Sequence, residues 1–248
     1  MKELVKTVSD AEKNLRIDKV VLGLGYIAVE LEGNRVGLSA NIADTSIMGC
    51  SVYSRAGTLK GSTVAEIVEL GAKEHLFSGA IALAAINAIR NTVDLSTGVD
   101  VFERMAVQRG EMIVMVGFIA PVAQMLKKAG AEVSVFEKRE LDTGFIRPVQ
   151  EMPTAFAEAD IIILSATTIM NNTIGELLSL PNTARDVILM GPSTPMIPDA
   201  FAATTITYLA GSAVTDGKKA IQIVMEGGGT QALYRAGAMK KIHLEVHR

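Results

Sequence analysis

Residues 111–137 read EMIVMVGFIAPVAQMLKKAGAEVSVFE, and this stretch decides the fold. An apolar run from Met112 to Val116 stops at Gly117. A helix centred on PVAQMLKKAG follows. AEVSVFE then supplies a second β-rich run. Strand, helix and strand at this spacing form a crossover unit, and a crossover joins parallel strands. The rhythm continues through DIIILSA, DVILMG, TITYLAG and KKIHLEV, with helices centred on TAFAEA, TIGELLSL and GKKAIQIVMEGG and a short turn near Pro198 to Ala202. Such continuous apolar runs are buried on both faces, so polar chemistry falls to the loops at the carboxyl ends of the strands.

Upstream the pattern is different. A first helix is expected over residues 2–14, then two β-rich runs within KVVLGLGYIAVELEGNRVGLSANIA, joined at Gly33 and Asn34, which tolerate the positive φ of a tight turn. Thr63 and Glu66 have capping-box spacing ahead of Val64, Ile67 and Val68. Another helix is expected from Ser78, with Ile81, Ala85, Ala88 and Ile89 on one face and Asn87 and Asn91, four apart, on another. A composition shift at TVDLSTGVDVFERM places a boundary near Ser96. The expectation is an α/β protein: a small α+β domain over residues 1–96 and a Rossmann-like parallel sheet domain over 97–248.

Charge and composition exclude several classes. The formal net charge is −3 and the basic residues form only short pairs, so there is no electrostatic footprint for nucleic acid or anionic lipid. Cys50 is the one cysteine, which removes any intrachain disulfide and suits a reducing compartment. The first residues lack the pattern of a secretory signal, and no apolar run approaches the roughly 20 residues of a membrane helix. A cytoplasmic location without a membrane span is expected, and homodimerisation is the general expectation for a soluble protein.

Candidate ligand residues cluster at strand ends. The turn VMVGFIAPVAQ keeps only Gly117 of a GxGxxG pattern, which argues against a dinucleotide and leaves Gly117 as the one cofactor-facing backbone position. Glu137 follows by about the 20 residues typical of a ribose-binding carboxylate, and it reads equally as a solvated loop residue. Ser165, Thr167, Thr168, Asn171, Asn172 and Thr173 follow the strand DIIIL; they either cap the next helix or bind an anion or carbonyl there. GPSTPMIP offers Ser193 and Thr194 on a loop stiffened by prolines, either a turn or a preorganised site. Gly227, Gly228 and Gly229 read as a helix stop. Cys50 reads as a small buried hydrophobe, the methionines as core filler, and His75, His243 and His247 as too dispersed for a metal cluster.

In combination, LKGSTVAEIVEL, AIALAAINA, TTIMNNTIGELL, GPSTPMIP and YLAGSAV resemble domain-of-unknown-function family 364, which is labelled for heavy-metal chelation. The similarity spans nearly the whole chain. It implies an enolase-N-terminal-like domain followed by a Rossmann-like one, with a site in the cleft between them. It also implies condensation or hydrolysis of a pterin-, flavin- or siderophore-like compound tied to metal acquisition. Carried over by motif, Asn87 enters the cleft from the first domain, and Asn171, Thr173, Ser193 and Thr194 from the second. Asn172 departs from the small residue expected between Asn171 and Thr173. Glu137 is the acid/base candidate and no cofactor is assigned. The alternatives are an S-adenosylmethionine-dependent methyltransferase-like enzyme, with Glu137 on the ribose hydroxyls, and a non-catalytic binder of a metal chelate.

Overall fold

The computed structural model describes residues 2–43, 53–73, 77–95, 100–138 and 143–247. Cys50, His75 and the expected boundary at Ser96 lie outside them. Two helices, α1 (Lys2–Lys6) and α2 (Asp10–Lys13), stand where one was expected. Ser9 divides them as an N-cap: its Oγ accepts from Glu12 N while the Glu12 carboxylate accepts from Ser9 N at 2.8 Å, a capping box that opens a new helix.

The β-rich stretch holds three strands, β1 (Ile17–Leu22), β2 (Tyr26–Leu31) and β3 (Arg35–Ala40), in one antiparallel sheet of order β1-β2-β3. The expected first run is two strands, because it contains its own tight turn at Gly23 to Gly25, closed by Gly23 N on the Tyr26 carbonyl. The second turn falls where expected, with Gly33 and Asn34 both at positive φ. Helix α3 (Val64–Lys73) starts on the reciprocal bonds between Thr63 and Glu66.

Helix α4 (Phe77–Arg90) is the centre of the molecule. Residues 77 to 89 are all buried, so the expected face division gives way to burial all round. Its small side chains make that possible. A Cβ on Gly37 of β3 would stand 2.1 Å from the Ala84 carbonyl oxygen, and one on Gly71 of α3 would stand 2.4 Å from the Ala82 Cβ. β3 and α3 therefore lie directly on α4.

After α5 (Val101–Met105) come β4 (Met112–Val116), α6 (Ala120–Lys128), β5 (Glu132–Phe136), α7 (Met152–Glu158), β6 (Ile161–Ser165), α8 (Thr167–Met170), α9 (Ile174–Ser179) and β7 (Asp186–Met190). β8 (Tyr208–Val214), α10 (Gly217–Met225), α11 (Thr230–Arg235) and β9 (Met239–Glu245) complete the chain. The second sheet has order β5-β4-β6-β7-β8-β9 and is parallel except for β9. β9 runs antiparallel because the α10–α11 excursion leaves and returns at the same edge, pairing Val214 with Met239. Ile113 and Met115 face a core with Val122 and Leu126 of α6, while Val114 and Leu164 join the core of α4. This is the expected α/β class.

The excursion also ties the halves together. Ala220, Ile221, Val224 and Leu233 pack on Tyr26, Ala28, Val36 and Leu38, so the small sheet is covered by α4 on one face and by α10 and α11 on the other. Among the described residues, no helix is long and apolar enough to cross a membrane.

Candidate functional site

In open α/β sheets the crevice lies where the strand order reverses, outside the carboxyl ends of the strands. Here the chain leaves β4 for β5 on one side and returns to β6 on the other, so the reversal lies between β4 and β6. A cleft of about 770 Å³ opens there. Phe118 and Ile119 after β4, Ser165 at the end of β6 with Thr167 just beyond it, and Gly191 to Ser193 after β7 form its floor. Thr230, Gln231 and Arg235 of α11 face them, and Tyr26 and Ala40 of the small sheet close one side. The wall thus comes from both sheets and from the late excursion.

Gly117 fixes how the floor fits together. Its φ of +87° favours glycine, and a Cβ there would meet the Ser165 Cβ at 2.7 Å, so the turn after β4 touches the end of β6. Ser165 Oγ lies 2.9 Å from Thr167 Oγ1, and Tyr26 OH lies 2.7 Å from Thr230 Oγ1. Burial pushes the Tyr26 phenol up to about 12, despite the hydrogen bond with Thr230 that lowers it, so it stays a neutral hydroxyl. The Arg235 guanidinium has no hydrogen bond or ion pair among the described residues, and no Asp, Glu, His or Cys lines the cleft among them. Hydroxyl pairs with one cation suit an anion or a polar ring.

The residues expected together in one cleft are divided among three places. Ser193 lines the cleft, although its Oγ accepts from Ala40 N at 2.7 Å; Gly117 flanks it. The Glu137 carboxylate sits behind the floor, accepting from Phe118 N at 3.2 Å and Lys138 N at 2.9 Å. Asn87 and Thr194 lie inside the junction between the halves, 2% and 0% exposed. Asn87 Nδ2 donates to the Leu38 carbonyl at 2.9 Å and the Ser193 carbonyl at 3.0 Å, a staple between β3 and the loop after β7. Asn91 does the same to the Thr194 and Ser212 carbonyls while accepting from Met196 N. Asn171 and Thr173 are on another surface, where Asn171 Oδ1 accepts from Thr173 N and Oγ1 in a local turn, and neither lines the cleft. The physical reason is that α8 turns the chain away from the sheet edge after Thr167. Asn172 takes φ of +60°, which asparagine tolerates better than most residues.

Sequence reasoning missed Tyr26, Thr230, Gln231 and Arg235. One signal existed within the glycine run. A Cβ on Gly228 would stand 2.8 Å from the Ile223 carbonyl oxygen, and Gly227 has φ of +77°, but Gly229 has an ordinary extended backbone and open space where a Cβ would stand. Packing and conformation account for two of the three glycines and leave the third, on the cleft wall, without a structural need.

A metal bound directly by side chains does not fit what is described: among the described residues, no group of three or more His, Cys, Asp or Glu could hold an ion.

Two family models match the chain, both described as "putative heavy-metal chelation": DUF4213 over residues 6–90 and DUF364 over residues 100–243. An uncharacterised protein of Methanocaldococcus jannaschii is 25% identical, covering 96% of this chain and 93% of its own. Two solved structures of DUF364-family proteins of unknown function have the same fold. The one from Desulfitobacterium hafniense has a TM-score of 0.80 at 21% identity, covering 98% of this chain and 96% of its own. The one from Pyrococcus horikoshii has a TM-score of 0.81 at 22% identity, covering 98% of each. With the DUF364 model spanning more than half of its residues, the chain belongs to the DUF364 family.

Proposed function

We propose that the protein binds an organic anion of the chelator kind, a pterin-, flavin- or siderophore-like compound, in the cleft at the edge of the parallel sheet. Metal then reaches it as that compound's complex. The observation that carries this reading is the lining: hydroxyls from Tyr26, Ser165, Thr167 and Thr230 around the unpaired Arg235, with no carboxylate, imidazole or thiol among the described residues. Hydroxyls and a guanidinium recognise carboxylates, catecholates and ring carbonyls, whereas a bare cation needs donors of the opposite charge. A volume of about 770 Å³ lies in the range of small-molecule pockets.

Calorimetric titration tests it with pterin-6-carboxylate, flavin mononucleotide, 2,3-dihydroxybenzoate and the ferric complex of the last, beside zinc and nickel ions alone. Heat from at least one organic anion, weakened about tenfold in Arg235→Gln, is expected. Heat from the bare ions alone, with none from the organic anions, overturns the reading.

A nucleoside reading has one specific support. Glu137 directly follows β5 and reaches the turn after β4 through Phe118 N, the place of a ribose-binding carboxylate. Titration with S-adenosylmethionine separates the two, since Glu137→Gln weakens a nucleoside and leaves a chelator unchanged.

A further inference from the structure

The cleft continues past Pro192, Gln231 and Arg235 into a second compartment of about 600 Å³. Its walls are mainly apolar: Phe102 from α5, Val122 and Met125 from α6, Met190 from β7 and Ala210 from β8. The polar groups at its edge are Lys241 and His243 of β9 with the shared Arg235, and no Asp or Glu lines it among the described residues. Tyr234, also in the wall, has its hydroxyl engaged by Ser212 Oγ at 2.6 Å. His243 is different. It is 8% exposed, its ring packs 6.4 Å from the Tyr208 ring, and neither ring nitrogen has a hydrogen-bond partner among the described residues. A buried imidazole with no protein partner on the wall of a cavity is a group left for a ligand.

We propose that the site is bipartite, and that this second compartment receives a planar aromatic or heteroaromatic part of the ligand, hydrogen-bonded by His243. For its choice of ligand the inference rests on the reading of the adjoining cleft as an organic-anion site. Three observations favour an aromatic ring over an aliphatic chain. Met125 and Met190 offer adaptable thioethers that pack well on rings. Lys241 Nζ stands 5.7 Å from the Phe102 ring centroid, so a cation already lies where it can engage a second π-face. His243 offers one donor and one acceptor, which a heteroatom or substituent on a ring can meet and an alkyl chain cannot. Arg235, shared by both compartments, then holds the anionic group at the junction between ring and polar head.

The probe for this compartment is 8-anilinonaphthalene-1-sulfonate, two aromatic systems with one sulfonate, whose emission rises on leaving water. Saturable one-to-one binding to the intact protein is expected. Affinity falls about tenfold or more in Met125→Glu, which sets a carboxylate on the compartment wall, and severalfold in Lys241→Gln and His243→Phe. Met125 and Lys241 are exposed enough for both changes to leave the fold intact, which near-ultraviolet circular dichroism checks. Emission that does not saturate, or equal affinity in Met125→Glu and the unaltered protein, overturns the proposal. The probe is independent of the four organic titrants, so a failure of the chelator reading and a failure of the aromatic compartment are seen separately.

Discussion

The molecule has two polar regions built from the same small vocabulary, and they do opposite things. In the junction between the sheets, Asn87, Asn91 and Thr194 are buried, and both asparagine amides are held by main-chain carbonyls from β3, the loop after β7 and β8. At the cleft, Ser165 pairs with Thr167, Tyr26 pairs with Thr230, and Arg235 pairs with nothing described. Two hydroxyls hold two protons, and their mutual bond uses one, so each cleft pair keeps a donor and several lone pairs for a ligand. An asparagine bridging two carbonyls keeps no donor. What separates a scaffold from a site here is whether the main chain already uses the polar atoms, not how many polar residues sit at a strand end.

The largest expected effects test the junction. Gly37→Ala would drive a Cβ against the Ala84 carbonyl oxygen and the Ala88 amide nitrogen, both backbone, so neither can swing away. A loss of about 3 kcal/mol or more in urea unfolding is expected. Asn91→Ala abandons two buried carbonyls and the Met196 N–H, a loss of about 3 kcal/mol. Asn87→Ala costs less, about 1 to 2 kcal/mol, because it also removes Oδ1, a buried acceptor that has no partner of its own among the described residues. If Asn87→Ala leaves the midpoint unchanged while abolishing ligand binding, the division between scaffold and site is drawn in the wrong place.

The cleft wall is expected to behave in the reverse way. Gly229→Leu places a side chain in open space on an ordinary extended backbone, so stability changes by no more than about 0.5 kcal/mol. Binding of the organic anion falls about tenfold, because the added side chain occupies the wall beside Thr230. A variant that loses stability and keeps its ligand would show that Gly229 serves the turn instead.

The fold was more legible than the site. All six later strands fall on β-rich runs of the sequence, although β8 begins and ends three residues later than TITYLAG, and the pairing of Thr63 with Glu66 and the turn at Gly33 and Asn34 are local chemistry that needs no tertiary context. The misses are of another kind. Ser9 opens a second helix inside a continuous amphipathic stretch, and the turn at Gly23 to Gly25 hides within an apolar run. The direction of β9 depends on where an excursion returns, which periodicity does not encode. For the site the gap is wider. Asn87 and Asn171 look like ligand groups in sequence because a side-chain amide does not declare its partner. Arg235 and Thr230 look like linker because α11 reaches the cleft only once α10 has docked on the small sheet.

The smallest expected effect separates the two compartments by pH. Burial pushes the His243 imidazole below its ordinary value; the Asp100 carboxylate opposes this, and Lys241 adds to it. The unfolded chain protonates this histidine near pH 6.5. Between that value and the lower one of the folded state, the unfolded chain holds a proton that the folded chain does not, so stability rises with pH across the window. The contribution is whole above the unfolded value and is lost as the pH falls through the folded one. Urea midpoints of the protein and of His243→Gln, followed from about pH 7.5 down to about pH 5.5, are expected to converge or cross, the histidine form losing more on acidification. Comparing the two cancels the titration of every other group. Parallel curves would mean that water already reaches His243, and the second compartment would then be an open face and no receptacle for a ring.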